Sequence, residues 1–477
     1  MHSFYGPIVR VSPNEVSVAN TEAIKKIFST HKFKKSVLYK NSITLTEDIF
    51  TTDNEEFNKM RRSQLNSGIS QHNLVGIENV IIEVGIKSLT KKIDEMLNSN
   101  KGRVENIEGE MVEGILFNYY DYFHMLTFDV ISSITFGENL GMLQNCNHEI
   151  IEDLINELKM SLMRSVSPMY GIGLDLYNKV TKKKRLTLEF IYKRINEIRK
   201  SEKQSLSENQ QESKNVKCLI IEKNIMDIYS KSTDKEGNKM TDLQLAAELL
   251  IVLAGGTDST SISMSYLMHI LMLYPEIYKK VTQEVRQNFP SWKNGFIKST
   301  EAKSKLPYLV SVIYESMRIK PIGAGVIFRE PPDTGATVCG YEIPPGTDIS
   351  VFIEGAHLSE DMWENPRRFI PERFISSGSE DGGALEMNKR RSDVMPFSVG
   401  VRSCPGKHLA WMEILTVIPN LLNRYDFELE KGAVYNPKNI DPERENEPKM
   451  FEDVVYLTRT PIGHKTHCNL IIKNRKE

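Results

Sequence analysis

The sequence has no C-x-x-C pair and no even cysteine framework. Its five cysteines, Cys146, Cys218, Cys339, Cys404 and Cys468, are scattered through 477 residues. That excludes a disulfide scaffold and favours a reducing compartment. No apolar run reaches about 18 residues, so no segment is expected to span a bilayer. The opening MHSFYGPIVR lacks the apolar stretch of a signal peptide. Charge of one sign is missing too: 61 Lys and Arg against 63 Asp and Glu leave a formal net charge of −2. No nucleic-acid partner and no acidic tail are implied. There is no internal repeat and no segment that reads as a linker. The expectation is therefore one large, mainly α domain with small β-sheets over residues 1–477, longer than the usual domain of about 50–250 residues.

What is present falls into stretches of different texture. Ile8 to Val18 holds two β-branched runs around Ser12-Pro13-Asn14, which predicts a hairpin. Helical patterns dominate from Thr21 to about Phe289. They are interrupted by the polar segment Ser201 to Lys217, which reads as a surface loop. Pro321 to Phe374 turns to short strands with Pro and Gly turns. After Cys404 comes a helix, then a loop-rich β end. The best-defined element is a helix from Thr241 to Tyr274. Thr241 and Gln244 fit a capping box, and Pro275 ends it. At about 1.5 Å per residue it is roughly 50 Å long. Apolar residues surround most of it, so it is expected to run through the protein.

Three motifs carry chemistry. The first is Phe397-Ser398-Val399-Gly400-Val401-Arg402-Ser403-Cys404-Pro405-Gly406, or F-x-x-G-x-R-x-C-x-G. A lone cysteine is ordinarily a buried structural residue; the five-position pattern argues for more. As ligand to a haem iron, Cys404 must be a thiolate in protected surroundings. A helix beginning near Lys407 would offer it a positive dipole end. Gly400 would allow a tight turn, Phe397 would cover the sulfur, and Arg402 could reach a haem propionate. The second is Gly255-Gly256-Thr257-Asp258-Ser259-Thr260 inside the long helix. Adjacent glycines cost a helix about 1 kcal/mol each against Ala, so they mark a close approach or a distortion. The acid and alcohols beside them could hold dioxygen and pass protons, or could simply line a kink. The third is Glu315-Ser316-Met317-Arg318, an i, i+3 pair on a helix starting near Pro307. It is followed downstream by Pro371-Glu372-Arg373-Phe374.

Together these residues resemble the cytochrome P-450 family, whose haem loop has the first pattern at this spacing. Its oxygen-binding helix reads A/G-G-x-D/E-T-T/S. Ser259 stands where Thr is usual, keeping the hydroxyl and losing a methyl. The resemblance implies the cytochrome P-450 fold, a long central helix over a buried haem b, with Cys404 as the axial ligand. It implies Asp258, Ser259 and Thr260 as the proton and dioxygen residues. Glu315, Arg318 and Arg373 would form a structural triad. Arg61, Arg329 and His357 would contact the propionates alongside Arg402, although a surface or packing role is an equal alternative for Arg61, Arg329 and His357. Phe57 replaces the polar first member of the family's W-x-x-x-R or H-x-x-x-R, so one haem contact is expected to be missing.

The resemblance covers nearly the whole chain, and several stretches look like fungal microsomal members of the pisatin-demethylase-like kind. Tyr5 to Glu15, Asp121 to Gly137 and Cys339 to Thr347 carry that likeness. It implies a monooxygenase reaction with electrons from NADPH through a cytochrome reductase, and cytochrome b5 as a second donor. It also implies a monomer on the cytosolic face of the endoplasmic reticulum. Full-length relatives carry an N-terminal anchor before this point; this chain as given has none. Substrate contacts are expected from Asn66 to Val75, Met160 to Leu176, Leu249 and Leu253, Ile322 to Phe328 and Val455 to Thr460. These are largely apolar, with adaptable Met160, Met163 and Met169, and predict a hydrophobic fungal metabolite such as a terpenoid, polyketide or phenolic. Three rival readings stand beside this one: a same-fold isomerase or dehydratase that does not use dioxygen, a degenerate haem binder, and a zinc thiolate with His408.

Overall fold

The computed structural model describes residues 1–68, 74–99, 102–146, 149–166, 173, 185–207, 224–323, 327–376, 383–455 and 458–475. The chain divides into two compact units. One comprises Met1–Lys34, Leu89–Phe123 and Ser259–Glu477; the other comprises Lys35–Ser88 and His124–Asp258.

The first unit holds the β-structure. Ile8–Ser12 and Glu15–Val18 form the expected antiparallel hairpin, with an irregularity between Arg10 and Ser12. Glu15–Val18 then pairs parallel with Asp348–Val351, which pairs antiparallel with Ile327–Glu330. Val16, Val18, Ile349 and Val351 point into a core shared with Ile24, Ile27 and Phe28 of the helix Thr21–Phe28. Asn20 caps that helix through the Ala23 amide at 2.9 Å.

The strands between Arg103 and Asn118 were not expected from the sequence. Ile115–Asn118 pairs with Asn469–Asn474, which pairs with Tyr425–Glu428. The hairpin Arg103–Glu105 with Met111–Glu113 lies in the same part of the chain. These strands are three to six residues long, and Ile115–Asn118 finds its partner some 350 residues away. A period-2 pattern that short carries no signal of its own. Within the stretch expected to be strands, the helix Ile353–His357 and the 3-10 turn Pro371–Phe374 also appear.

The second unit is helical: Glu55–Gly68, Glu149–Val166, Leu186–Ser207 and Ile225–Lys231 are its main elements. Arg185 grips the buried Glu157 with two nitrogens, its Nε at 2.7 Å and its Nη2 at 2.5 Å. Asp129 accepts the amides of Met142 and Leu143 at 2.8 and 3.0 Å, which starts the turn Met142–Asn145. The segment expected as a polar loop begins instead as helix, to Ser207; residues 208–217 lie outside the described residues.

The long helix is Asp242–Leu273, and it runs from one unit into the other. Its start is the reciprocal box read from the sequence. The Gln244 amide donates to Thr241 Oγ1 at 3.2 Å, and the Thr241 amide donates to Gln244 Oε1 at 2.9 Å. Pro275 opens the next helix, Pro275–Asn288. By length and composition alone Asp242–Leu273 is also long and apolar enough to cross a membrane. It is 72% buried over its most apolar window, as a core helix is.

Candidate haem-thiolate site

In the first unit, the segment Phe397 to Gly406 folds into a closed loop. The Cys404 amide donates to the Phe397 carbonyl at 2.8 Å, and the Ser403 amide to Gly400 at 3.1 Å. Gly400 has φ +74°, and a Cβ there would lie 2.0 Å from the Phe28 carbonyl oxygen. Only glycine fits, because both the backbone angle and the space exclude a side chain. Phe397 is half-buried, as are Arg402 on the turn Gly400–Arg402 and Gly406. Gly406 is the N-cap of the helix Lys407–Arg424, so the Cys404 thiol stands just before a helix N-terminus, where an anion is favoured. A Cβ on Gly406 would meet Cys404 Sγ at 3.8 Å, an ordinary contact, so this glycine answers to the turn more than to the sulfur.

The Cys404 thiol is exposed, whereas Cys468 is buried. Burial pushes the Cys468 thiol up to about 12, which makes it inert. Among the described residues no three His, Cys, Asp or Glu side chains are grouped to hold a metal ion. A zinc thiolate at Cys404 and His408 therefore has no ligand set, while an axial haem ligand needs one cysteine. The donor and its cradle fit haem.

Arg329, on the strand Ile327–Glu330, is buried with its guanidinium carbon 4.8 Å from the Phe28 ring centre. Phe28 is the same residue that backs Gly400. Of the two roles left open for His357, its hydrogen bonds here are those of packing. Its Nε2 accepts the Met395 amide at 2.9 Å, and its Nδ1 lies 3.2 Å from the Arg318 carbonyl. Both ring nitrogens are committed to backbone, and burial pushes the imidazole down to about 3, so it stays neutral. His357 locks two segments together.

The structure brings Glu315, Arg318 and Arg373 together. Arg318 donates to both Glu315 oxygens, at 2.7 and 2.8 Å, and Arg373 Nε donates at 3.4 Å. Arg318 also donates to the carbonyls of His357 and Pro366 at 2.7 Å and Arg368 at 3.1 Å. The charge is fully enclosed, and the guanidinium is spent on backbone as well as on its partner.

One acid of this unit was missed. Glu413, on Lys407–Arg424, is fully buried, and among the described residues neither of its oxygens has a hydrogen bond. Burial pushes it well above the ordinary carboxylate range, and the Thr260 hydroxyl faces it. It sits in a helix that sequence reading treated only as a dipole.

In the second unit, Asp258 is buried with its Oδ1 3.3 Å from His124 Nε2. His124 is 134 positions away and no spacing pointed to it. A Cβ on Gly256 would lie 2.4 Å from Ile131 Cγ1, so that glycine exists for helix contact. One on Gly255 would meet nothing within 4 Å, so that position faces open space. Ser259 is half-buried and begins the first unit's share of the helix. Arg61, on Glu55–Gly68, is buried, with Nε 3.3 Å from Glu248 Oε1 and the Phe57 ring 4.7 Å from its guanidinium carbon. Of the expected substrate contacts, 69–73, 167–172, 174–176, 324–326 and 456–457 lie outside the described residues, Met169 among them. Leu249 and Leu253 are buried.

Comparison with known proteins accords with this arrangement. The family model described as Cytochrome P450 matches residues 1–447, and the chain belongs to the cytochrome P450 family. The chain is similar to Cytochrome P450 monooxygenase helB1 of Aspergillus fumigatus, 26% identical over 99% of this chain and 76% of that protein. It is also similar to the trichothecene C-4 hydroxylase of Trichoderma arundinaceum, 27% identical over 90% of this chain and 80% of that one. In fold it resembles a crystal structure of a Cytochrome P450 (CYP102L1), with a TM-score of 0.70 and 18% identity over 96% of this chain and 89% of that one.

Proposed function

We propose that residues 1–477 form one catalytic domain of a haem-thiolate monooxygenase, placing one oxygen atom from dioxygen into a hydrophobic small molecule of fungal secondary metabolism. The observation that carries this is the closed loop ending in an exposed Cys404 at a helix N-terminus. Haem b, held through Cys404, supplies the binding and reductive activation of dioxygen. Arg402, Arg329 and Arg61 are the cations for its propionates. Phe397 shields the sulfur, and Gly400 and Gly406 shape the turn. Asp258, its carboxyl facing His124, and the hydroxyls of Ser259 and Thr260 make up the polar path for protons. Glu315, Arg318 and Arg373 keep the surrounding backbone fixed. Electrons come from NADPH through a cytochrome reductase, with cytochrome b5 as a second donor. The related trichothecene hydroxylase and helB monooxygenase support hydroxylation of a fungal metabolite. As in full-length relatives of the microsomal type, the site of action is the cytosolic face of the endoplasmic reticulum. The enzyme acts as a monomer and binds no nucleic acid.

The test is turnover of candidate terpenoids and polyketides with the reductase, NADPH and isotopically labelled dioxygen. One labelled atom should enter the product. Product formed without NADPH and without label would establish the isomerase reading instead.

A further inference from the structure

The first unit holds a pocket of about 180 Å³ that shares no residue with the loop Phe397 to Gly406. Its lining comes from the last turns of Asp242–Leu273, the start of Asn469–Asn474 and the chain that follows Tyr425–Glu428. At the mouth Gly432 and Val434 are exposed, and a Cβ on Gly432 would meet nothing within 4 Å. At the base His269, Met272 and Leu470 are buried. The walls are aromatic. The His269 ring stacks on Phe451 with centroids 3.5 Å apart. Tyr435 stands edge-on to His269, Phe451 and His467, at 5.6, 4.9 and 5.5 Å. The Tyr435 hydroxyl accepts the Glu452 amide at 3.2 Å, which fixes that ring. His269 Nε2 is buried and has no hydrogen bond among the described residues. Burial, with the charges of Lys320 and Arg444, pushes the imidazole well below the ordinary histidine value, so the ring is neutral.

We infer that this pocket is a second small-molecule site, for a neutral monocyclic aromatic compound whose hydroxyl pairs with His269. The volume equals about six waters at about 30 Å³ each, well below the roughly 300–1,000 Å³ of sites for drug-sized ligands. One ring with a small substituent or two fits it; a fused-ring metabolite does not. An aromatic guest finds rings already set for stacked and edge-on contact. A buried ring nitrogen without a partner is costly, and a ligand that supplies one is favoured. A hydroxyl suits either tautomer, because it donates to a bare nitrogen or accepts from an N–H. A carboxylate can only accept, and it would meet the Glu430 charge in the lining. An ammonium would be opposed by Lys320 and Arg444, which already act on His269. Charge on both sides therefore selects a neutral guest.

The experiment is fluorine NMR on the haem-loaded full chain, with 4-fluorophenol as the probe and fluorobenzene as its hydroxyl-free counterpart. For so small a molecule a dissociation constant on the order of 1 mM is expected. Fluorobenzene should bind about fivefold more weakly, which is the worth of one hydrogen bond. In His269→Phe the two compounds should bind alike. Val434 is 48% exposed at the mouth, so Val434→Trp should fold normally, obstruct entry and weaken 4-fluorophenol by about tenfold or more. Saturable binding that Val434→Trp leaves unchanged lies elsewhere and overturns the site. Equal binding of the two compounds to the unmodified protein overturns the contact with His269, even where His269→Phe does not fold. No saturable binding of either compound means that the pocket holds water only, and overturns the inference.

Discussion

Exchanging Glu315 for Gln keeps the shape of the side chain and removes one charge. Glu315 is fully buried and answers four donors: Arg318 twice, Arg373, and the Ile370 amide at 2.9 Å. Gln offers one oxygen in place of two and turns an amide nitrogen toward a guanidinium. Arg318 is then enclosed at 0% side-chain exposure and Arg373 at 7%, with no counter-charge between them. Breaking a buried pair from one side costs about 3–5 kcal/mol. Arg318 retains three backbone carbonyls, so the lower end, about 3 kcal/mol, is expected. Urea unfolding followed by tryptophan fluorescence reads this directly. The Trp363 ring centre lies 5.2 Å from the Arg318 guanidinium carbon, and Trp411 lies against Tyr314 on the same helix as Glu315. Glu301→Gln is the control, since its pair with Lys305 is about half exposed on both sides and is worth under about 1 kcal/mol. If Glu315→Gln unfolds no more easily than Glu301→Gln, the enclosed triad does not hold this unit together and the reasoning fails.

Gly256→Ala should cost about 1–3 kcal/mol, because its new methyl meets Ile131. Gly255→Ala, in open space, should gain up to about 1 kcal/mol from helix propensity. Thermal unfolding of both checks the asymmetry, and Ile131→Ala should rescue the first. His357 titrates near 3 when folded and near 6.5 when free. Its contribution is complete above about pH 6.5 and is lost as pH falls toward 3, on the order of a few kcal/mol. The slope of unfolding free energy between pH 6.5 and 4 should lose nearly one proton in His357→Gln; an unchanged slope rules this out.

Local chemistry was the legible part of the sequence. Thr241 and Gln244 announced a helix start because a cap needs two residue types at one spacing. The loop from Phe397 to Gly406 and the pair Glu315 with Arg318 were visible for the same reason, since their geometry is set within ten residues. Partners brought in from a distance were not visible. His124 reaches Asp258, Glu248 reaches Arg61, and Ile115–Asn118 pairs with Asn469–Asn474 only through tertiary packing. Glu413 reads as one more polar residue on an amphipathic helix, and only its complete burial marks it. For His357 the sequence left two roles open, because the backbone groups its ring bonds lie on separate segments.

The central claim is that Cys404 is the axial thiolate. The Soret band of the reduced carbonyl complex reports that ligand without reference to any substrate. The unmodified protein should give the red-shifted band of thiolate ligation, and Cys404→Ala should lose it while Cys468→Ala keeps it. A red-shifted band that survives in Cys404→Ala would contradict the account.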